Sequence, residues 1–399
     1  MDRTITVSLA YRNYKPLHSM YVSIVRTPPK GVKVIAPEPK SKLGQDSILF
    51  KMYRKFGRNR LAQTMIKHVD KWLFSKPAGS ANEAVDLYHY INMVPDKRPD
   101  KPYVVEFEHV GALFSFVFDE RRERTVKTGL KDSTCRAIIC SSQAAKNTLR
   151  ELFGDDYESV ADKVSVIYPA LDRDIQKLES PVGLAKKKTL RLLFVGNDAY
   201  RKGLEETLLA LRRLPEAQRK NFELTVVSGD AGPVVDEYPD IKNIVRLLPP
   251  TYSKQQIIND FYRKSDVFIL LTKQDTFGFA ALDAMSCGIP VIATKQFAMP
   301  EIVRDGQDGI LLNLSRSVLD EGVYYNQDLA NQVNRSNVDE GLVGEFTKTL
   351  VGLDQDRGRI VTMGKNALQA FRPTGRFSVE TRNKQLLQVY KSAVNGKIG

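Results

Sequence analysis

The sequence predicts an α/β protein built on two doubly wound parallel sheets, and two observations support this fold class. The chain has 399 residues, more than one ordinary hydrophobic core organises, so we expect two domains of similar size. Short apolar runs of strand length alternate with amphipathic helical patterns in both halves. This alternation is typical of helices that cover the two faces of a parallel sheet.

The first half contains six predicted strands, followed by a linker. The strands are Ile5 to Leu9, Val32 to Ile35, Val85 to Tyr88, Tyr103 to Phe107, Ala137 to Cys140 and Val164 to Ile167. Ser141 or Ser142 is the expected N-cap of the helix after the fifth strand, because a hydroxyl can accept from first-turn amides. We predict a first domain at 1–175 and a polar, proline-containing linker at 176–188.

The second half predicts another domain of the same kind at 189–372. Its strands include TLRLLFV, FELTVVS and IVRLL, and Ser253 is the expected cap of the helix after the third of these. The remaining residues, 373–399, contain an amphipathic helical pattern from Val379 to Ala393.

The most informative segment is DTFGFAALDAMSCGIPVIAT, residues 275–294. An apolar run of strand length precedes it, and Gly278 opens a short helix whose first amides would point to the carboxyl end of that strand. Asp283 is the only charged residue of that helix, and a buried carboxylate needs a partner. A ligand hydroxyl is one candidate. The alternative is that Asp275 caps the helix and Asp283 faces water.

A second candidate site element follows the strand TLRLLFV. Gly196 and Gly203 bracket a turn that would bring Arg201 and Lys202 to the carboxyl edge of the sheet. Two cations at this edge can hold a diphosphate. The alternative is that both side chains are simply solvated.

The segment 275–294 resembles the E-x7-E element of retaining GT-B glycosyltransferases, especially glycosyltransferase family 4. Both acidic positions, Asp275 and Asp283, carry Asp in place of Glu. The other matching residues are Phe277, Gly278, Ala284, Met285, Cys287, Gly288, Pro290 and Val291 to Ala293. The resemblance implies a GT-B fold, in which two Rossmann-like domains face each other across a cleft and a C-terminal helix crosses back to the first domain.

The resemblance also implies roles for individual residues. Asp275 and the following amides would meet the transferred sugar and distal phosphate, and Asp283 would meet the ribose. The turn after TLRLLFV resembles V-G-R-x-x-x-x-K-G: Lys202 matches, and Arg201 would substitute for the arginine that Asn197 replaces. The nucleotide-sugar-binding residues so implied are Gly196, Asn197, Arg201, Lys202, Leu248, Asp275, Thr276, Phe277, Gly278, Phe279, Asp283 and Glu301.

Two histidines compete for a catalytic role. His109 follows the strand PYVVEFE at the end where open α/β sheets present active groups, and the family places a histidine comparably. His89 ends another predicted strand and is the alternative, while Glu108, which alternates with Glu106 along the strand, is a weaker candidate. The catalytic residues predicted are therefore His109, Asp275, Arg201 and Lys202. The family's early glycines are absent, since residues 11–14 read YRNY.

The composition of the chain indicates which kind of partner and which cellular location to expect. Lys plus Arg exceed Asp plus Glu by 60 minus 47, a net charge of +13, which suggests an anionic partner. Segment 40–76 has ten basic residues against two acidic ones, and its amphipathic pattern permits contact with an anionic membrane, although a solvated helix face is the simpler reading. Without an apolar span or signal-peptide core, we expect a cytoplasmic protein, peripheral on the inner face of the membrane.

The resemblance therefore implies a retaining glycosyltransferase. A nucleotide-diphosphate sugar would be the donor, a glycan or lipid-linked molecule the acceptor, and no metal or other cofactor would be needed. Two D-x-D pairs, Asp172 with Asp174 and Asp354 with Asp356, are read as accidental. Alternatives within the same fold are an epimerase or phosphorylase. Alternatives of other classes are a catalytically silent binding protein and a basic nucleic-acid-binding protein, for which no recognition motif is present.

Overall fold

The computed structural model of the protein describes residues 3–11, 19–36, 84–114, 119–171, 188–317 and 338–396. They form two compact units, one of Met1–Asp172 with Arg376–Gly399 and one of Arg173–Gly375. The basic segment 40–76, most of the linker predicted at 176–188 and the first D-x-D pair lie outside the described residues. Within them, no helix is both long and apolar enough to cross a membrane.

Each unit contains a six-stranded sheet in which all neighbouring strands are parallel. The first has the order β2-β1-β3-β4-β5-β6 and the second β12-β11-β10-β7-β8-β9. The strands are β1 Ile5–Ala10, β2 Val32–Ile35, β3 Leu87–Ile91, β4 Tyr103–Phe107, β5 Cys135–Cys140, β6 Val164–Val166, β7 Leu190–Val195, β8 Phe222–Val227, β9 Val245–Leu248, β10 Val267–Leu270, β11 Val291–Thr294 and β12 Gly309–Leu312.

Helices connect the strands and cover the sheets. The α-helices are α1 Ser19–Arg26, α2 Val110–Leu113, α3 Glu120–Lys131, α4 Gln143–Phe153, α5 Glu158–Ala161, α6 Leu204–Arg213, α7 Glu216–Arg219, α8 Gly232–Asp236, α9 Lys254–Gln256, α10 Phe279–Ser286, α11 Met299–Ile302, α12 Glu340–Gln355, α13 Arg357–Gln369 and α14 Val379–Val394. A π-helical turn at Ile257–Phe261 extends α9, and short 3₁₀ turns occur at Gly154–Tyr157, Pro239–Ile244 and Tyr262–Lys264.

The predicted α/β fold class with two parallel sheets is confirmed. Ser142 caps α4 by accepting from Ala145 N at 2.9 Å, and Ser253 forms a capping box with Gln256. The third strand differs from the predicted Val85 to Tyr88. It runs from Leu87 to Ile91, because buried partners from other elements allow a polar histidine inside this strand.

Those partners come from the end of the chain. His89 is fully buried, with Nδ1 2.8 Å from the hydroxyl of Tyr390 on α14 and Nε2 3.0 Å from Oε2 of Glu106. Arg382 of the same helix donates from Nη1 to Ser23 Oγ of α1 at 2.9 Å. Helix α14 therefore completes the core of the first unit, and His89 is a packing residue within that core.

The thiols and the second D-x-D pair also have structural positions. Cys135, Cys140 and Cys287 are buried and are not joined in disulfides. Burial raises the pKa of Cys135 to about 12, which keeps this thiol protonated and unreactive. Asp354 accepts from Asn221 Nδ2 at 2.8 Å and Asp356 caps α13. Both aspartates thus stabilise helix α13 and its surroundings.

Candidate functional site

The strand order of the second sheet selects one edge position for a ligand. Connections from β7 run outward to β8 and β9 on one side, and β10 continues the sheet on the other side of β7. In open parallel sheets, this reversal leaves a crevice at the carboxyl ends of the two central strands, where ligands bind. The segments that follow β7 and β10 are the turn 196–203 and the loop 271–278, so both predicted site elements meet here.

The backbone of the two segments is in direct contact. Lys273 N donates to Arg201 O at 2.8 Å. Gly203 has φ +74°, and a Cβ at this position would collide with the carbonyl oxygen of Leu271. A Cβ at Gly196 would come within 2.7 Å of Cδ of Lys202. Glycine at 203 thus lets the turn rest on the loop, and glycine at 196 leaves room for the lysine stem.

The predicted cations and the first predicted aspartate converge at this junction. Lys202 Nζ lies 3.2 Å from Oδ2 of Asp275, and both side chains are 15% exposed. Arg201 donates from Nη1 to the carbonyl oxygen of Gln274 and from Nε to Oδ2 of Asp198 at 2.7 Å. The structure therefore brings together Arg201, Lys202 and Asp275, as the sequence predicts.

The electrostatic balance favours the ionised form of Asp275. Burial opposes ionisation of this carboxyl, but Lys202 and Arg201, with a hydrogen bond from Thr276 N, outweigh burial and hold its pKa below its ordinary value. A group whose pKa is lowered by folding stabilises the folded state above its unfolded pKa, and this contribution disappears as pH falls through the folded pKa.

The Asp275→Asn variant is therefore expected to be less stable than the wild-type protein, and the size of this stability deficit should depend on pH. Above about pH 5 the variant should be less stable than the wild-type protein by about 1 to 2 kcal/mol, because a charge-assisted hydrogen bond is lost. The deficit should begin to shrink below about pH 4, where the carboxyl of the unfolded chain takes up a proton, and it should disappear as pH falls through the lower folded-state pKa, where the native carboxylate is protonated as well. Urea unfolding across this range measures it, with Asp260→Asn at an exposed ion pair as control. A deficit that stays constant under acidic conditions would contradict the prediction.

Helix α10 adds a favourable anion environment beside the junction. The helix begins after Gly278, an N-cap with φ +96°, and its N-terminal end carries the positive pole of the helix dipole. Phe277 is fully buried and stacks on Phe279 with ring centroids 5.0 Å apart. The buried ring of Phe277 thus anchors the segment between Asp275 and α10 in the core.

Asp283 has a partner that the local sequence pattern does not indicate. Its carboxylate is 2% exposed and forms an ion pair with Lys254 Nζ, whose side chain is 44% exposed. Water does not face this carboxylate, so the solvated alternative is wrong. The predicted ribose contact remains a prediction, and it would require the lysine to move or to share the carboxylate.

The other residues predicted for donor binding occupy different elements of the second unit. Asn197 is exposed, and its Oδ1 accepts from Gly229 N at 2.9 Å. Leu248 is half-buried at the end of the edge strand β9. Glu301 is half-buried on α11, the helix whose Met299 lies against Gly278. Asn197 thus ties the turn to the loop after β8, and Met299 brings α11, which carries Glu301, against the start of α10.

His109 belongs to the first unit and caps α2. The side chain is 4% exposed, and Nδ1 accepts a hydrogen bond from Gly111 N at 2.9 Å. Because Nδ1 is the acceptor, the neutral ring carries its hydrogen on Nε2. The catalytic role of His109 remains a prediction. The buried position of His89 between Tyr390 and Glu106 leaves His109 as the better candidate of the two.

Sequence reasoning also missed a buried ion pair behind the junction. Glu206 of α6 is fully buried, and its Oε1 lies 2.8 Å from Nζ of Lys273, which is 4% exposed. For the other missed pair, Lys254 with Asp283, the sequence did contain an indication. A lysine in the first turn of a helix is unfavourable next to the positive end of the helix dipole, which favours an acidic partner. Glu206 gave a similar signal by interrupting the apolar face of α6.

Comparison with known proteins supports the fold of the whole chain and matches the second unit to a protein family. The family described as "Glycosyl transferases group 1" matches residues 189–320. The D-inositol 3-phosphate glycosyltransferase of Streptomyces bingchenggensis is 31% identical over 227 residues, which cover 52% of this chain and 46% of that protein. The chain spans less than half the length of the curated relatives that it matches.

Two solved structures are similar over nearly the whole chain. Sucrose-phosphate synthase from Thermosynechococcus elongatus has a TM-score of 0.61 at 15% identity and covers 99% of this chain and 100% of its own. Anabaena Alr3699/HepE in complex with UDP has a TM-score of 0.59 at 17% identity, with coverages of 97% and 100%. These similarities confirm the predicted GT-B fold class with two Rossmann-like units.

Proposed function

We propose that the protein is a retaining glycosyltransferase that moves a sugar from a nucleotide-diphosphate donor to a glycan or lipid-linked acceptor without a metal ion. The second unit would bind the donor and the first unit the acceptor. One observation carries this proposal: Arg201, Lys202 and Asp275 meet beside the N-terminal end of α10 at the switch point of the second sheet.

The chemistry of sugar transfer fits this cluster. As the glycosidic bond breaks, negative charge grows on the leaving diphosphate, and donors aimed at it stabilise the transition state by about 3 to 4 kcal/mol each. Lys202 and Arg201 would supply this stabilisation, a task that a metal ion performs in other phosphate chemistry. Asp275 orients Lys202 at 3.2 Å and would contact the transferred sugar.

The proposed stereochemistry rests on the resemblance at Asp275 and Asp283. Retention without a second carboxylate as nucleophile is compatible with attack on the same face that the diphosphate leaves, with the leaving phosphate receiving the proton of the acceptor hydroxyl. His109, with its hydrogen on Nε2, would then act as a hydrogen-bond donor in the first unit. Product analysis by NMR of the anomeric centre distinguishes retention from inversion.

A panel of UDP-, GDP- and ADP-sugars tests the proposed function. Thermal shifts identify the donor, and release of the nucleoside diphosphate in the presence and absence of candidate acceptors measures turnover. UDP-glucose is the first donor to try, because the similar HepE structure contains UDP. Saturable donor binding with acceptor-dependent release would support the proposal. A chain that binds none of these donors would not be a transferase of this kind.

A catalytically silent binding protein is the second candidate function. The Lys254–Asp283 ion pair favours it, because a cation already satisfies the carboxylate that the resemblance assigns to the ribose. Donor binding without release of nucleoside diphosphate at any tested acceptor would identify this case. Detectable hydrolysis of the bound donor would exclude it.

We also propose that the protein works in the cytoplasm and contacts an anionic membrane through residues 40–76. With a net charge of +8 in this segment, vesicles with anionic lipid should bind the protein, because each basic residue near the surface contributes about 1 kcal/mol. Binding should weaken as salt is raised, since charges are then screened. Sedimentation with phosphatidylcholine vesicles, with and without phosphatidylserine, measures this. Equal recruitment by both vesicle types would refute electrostatic contact.

A further inference from the structure

The buried pair of Glu206 and Lys273 lies directly behind the proposed donor site. Glu206 sits in the first turn of α6, which begins immediately after Arg201, Lys202 and Gly203. Lys273 follows β10 and stands two residues before Asp275. The 2.8 Å contact between Nζ and Oε1 therefore joins the element that carries the cations to the element that carries the carboxylate.

The surrounding contacts fix the same two segments. Lys273 donates from its backbone to Arg201 O at 2.8 Å, and Thr272 Oγ1 donates to Gln274 O at 2.7 Å. Oε1 of Glu206 also accepts from Asp339 N, the cap of α12, at 3.4 Å. Lys273 is thus held both by its backbone and by its side chain. Together these contacts fix the position of the loop 271–278 relative to the turn 196–203.

A buried ion pair generally adds little net stability, because desolvation of its two charges offsets their attraction. Both charges are removed from water, and Oε2 of Glu206 has no hydrogen-bond partner within the described part of the chain. Apolar residues of similar size usually stabilise such a position as well or better. An apolar contact, however, tolerates sliding, whereas an ion pair is favourable in one geometry. The advantage of this pair is therefore positional.

We infer that Glu206 and Lys273 are positioning residues that set Asp275 against Lys202 and Arg201, and so hold the donor site in its working geometry. This inference rests on the proposed function, in which neither side chain is assigned a contact with the donor. A displacement of about 1 Å in a reacting group can lower a rate about 100-fold. The pair therefore controls turnover without taking part in the chemistry.

Four variants separate positioning from stability. Glu206→Gln and Lys273→Met each leave one buried charge unpaired, and both should unfold at lower temperature. The double variant removes both charges and should regain most of the wild-type thermal stability, yet its turnover of UDP-glucose, or of the best donor in the panel, should remain about 10- to 100-fold low. Lys273→Arg keeps the charge and should restore part of the turnover.

The exposed ion pair of Asp260 and Lys264, with Nζ and Oδ1 3.0 Å apart, is the matched control. Asp260→Asn/Lys264→Met removes the same two charges from the same unit and should leave turnover and stability unchanged. Wild-type turnover in the Glu206→Gln/Lys273→Met protein would overturn the inference, because the pair would then serve stability alone.

Hydrogen exchange distinguishes failure of this inference from failure of the proposed function. Amides of 274–279 should exchange at least about 10-fold faster in the double variant at equal global stability, whether or not the protein binds a nucleotide. If the wild-type protein turns over no donor but exchange accelerates, the positioning role stands and the transferase proposal fails. Unchanged exchange in this loop would refute positioning even in an active enzyme.

Discussion

Replacing Lys202 with alanine should lower donor turnover about 100- to 1000-fold, which corresponds to about 2.7 to 4 kcal/mol of transition-state stabilisation. Lys202 is the predicted cation that forms an ion pair with Asp275, and its amine is placed where charge would grow on a leaving diphosphate. Because this charge is larger in the transition state than in the bound donor, the loss should appear mainly in kcat. Nucleoside diphosphate release under saturating donor measures it.

Two variants make this result specific. Lys202→Arg retains the charge with a different shape, and it should recover activity only partly. Lys264→Ala removes an exposed lysine of the same unit, 63% accessible and paired with Asp260, and should change turnover less than about twofold. Donor binding and turnover at the wild-type level in Lys202→Ala would place the diphosphate elsewhere.

Replacing Gly203 with alanine should destabilise the second unit by about 2 to 5 kcal/mol. The left-handed backbone at φ +74° costs a residue with a Cβ about 1 to 2 kcal/mol. Displacing the Leu271 carbonyl that the new methyl group would meet adds the cost of overpacking, about 1 to 3 kcal/mol. Urea unfolding measures the loss. Because Gly203 lies between Lys202 and α6, donor affinity should fall as well.

The matched control is Gly344→Ala within α12. A Cβ at Gly344 meets nothing within 4 Å, and alanine in a helix interior is favoured over glycine by about 0.5 to 1 kcal/mol. The same chemical change should therefore stabilise the protein at one site and destabilise it at the other. A Gly203→Ala protein as stable as the wild type would show that the turn can move away from the loop.

The sheets of both units could be predicted because their strands are apolar runs of strand length. VFILLT is one such run, and β10 lies inside it, buried on both faces as expected for a central parallel strand. The turn after β7 and the segment after β10 could also be assigned to one edge, since parallel strands present their carboxyl ends together. Local pattern therefore predicted the fold class and the sheet edge at which the candidate site lies.

Partners far apart in sequence could not be predicted from pattern. Asp283 and Lys254 are separated by 29 positions, and nothing local to either residue says that the fold joins them. His89 illustrates the same limit, because its burial depends on Tyr390, 301 positions away. Ion pairs and buried polar contacts of this kind are decided by tertiary packing, which sequence periodicity does not encode.

The contacts of helix α14 have a consequence for the nascent chain. Arg382 reaches back 359 positions to Ser23, so the first unit cannot close while its final helix is still inside the ribosome. The second unit ends at Gly375 and is complete in sequence earlier. The usual order, in which the domain nearest the amino terminus finishes first during translation, should therefore be reversed in this protein.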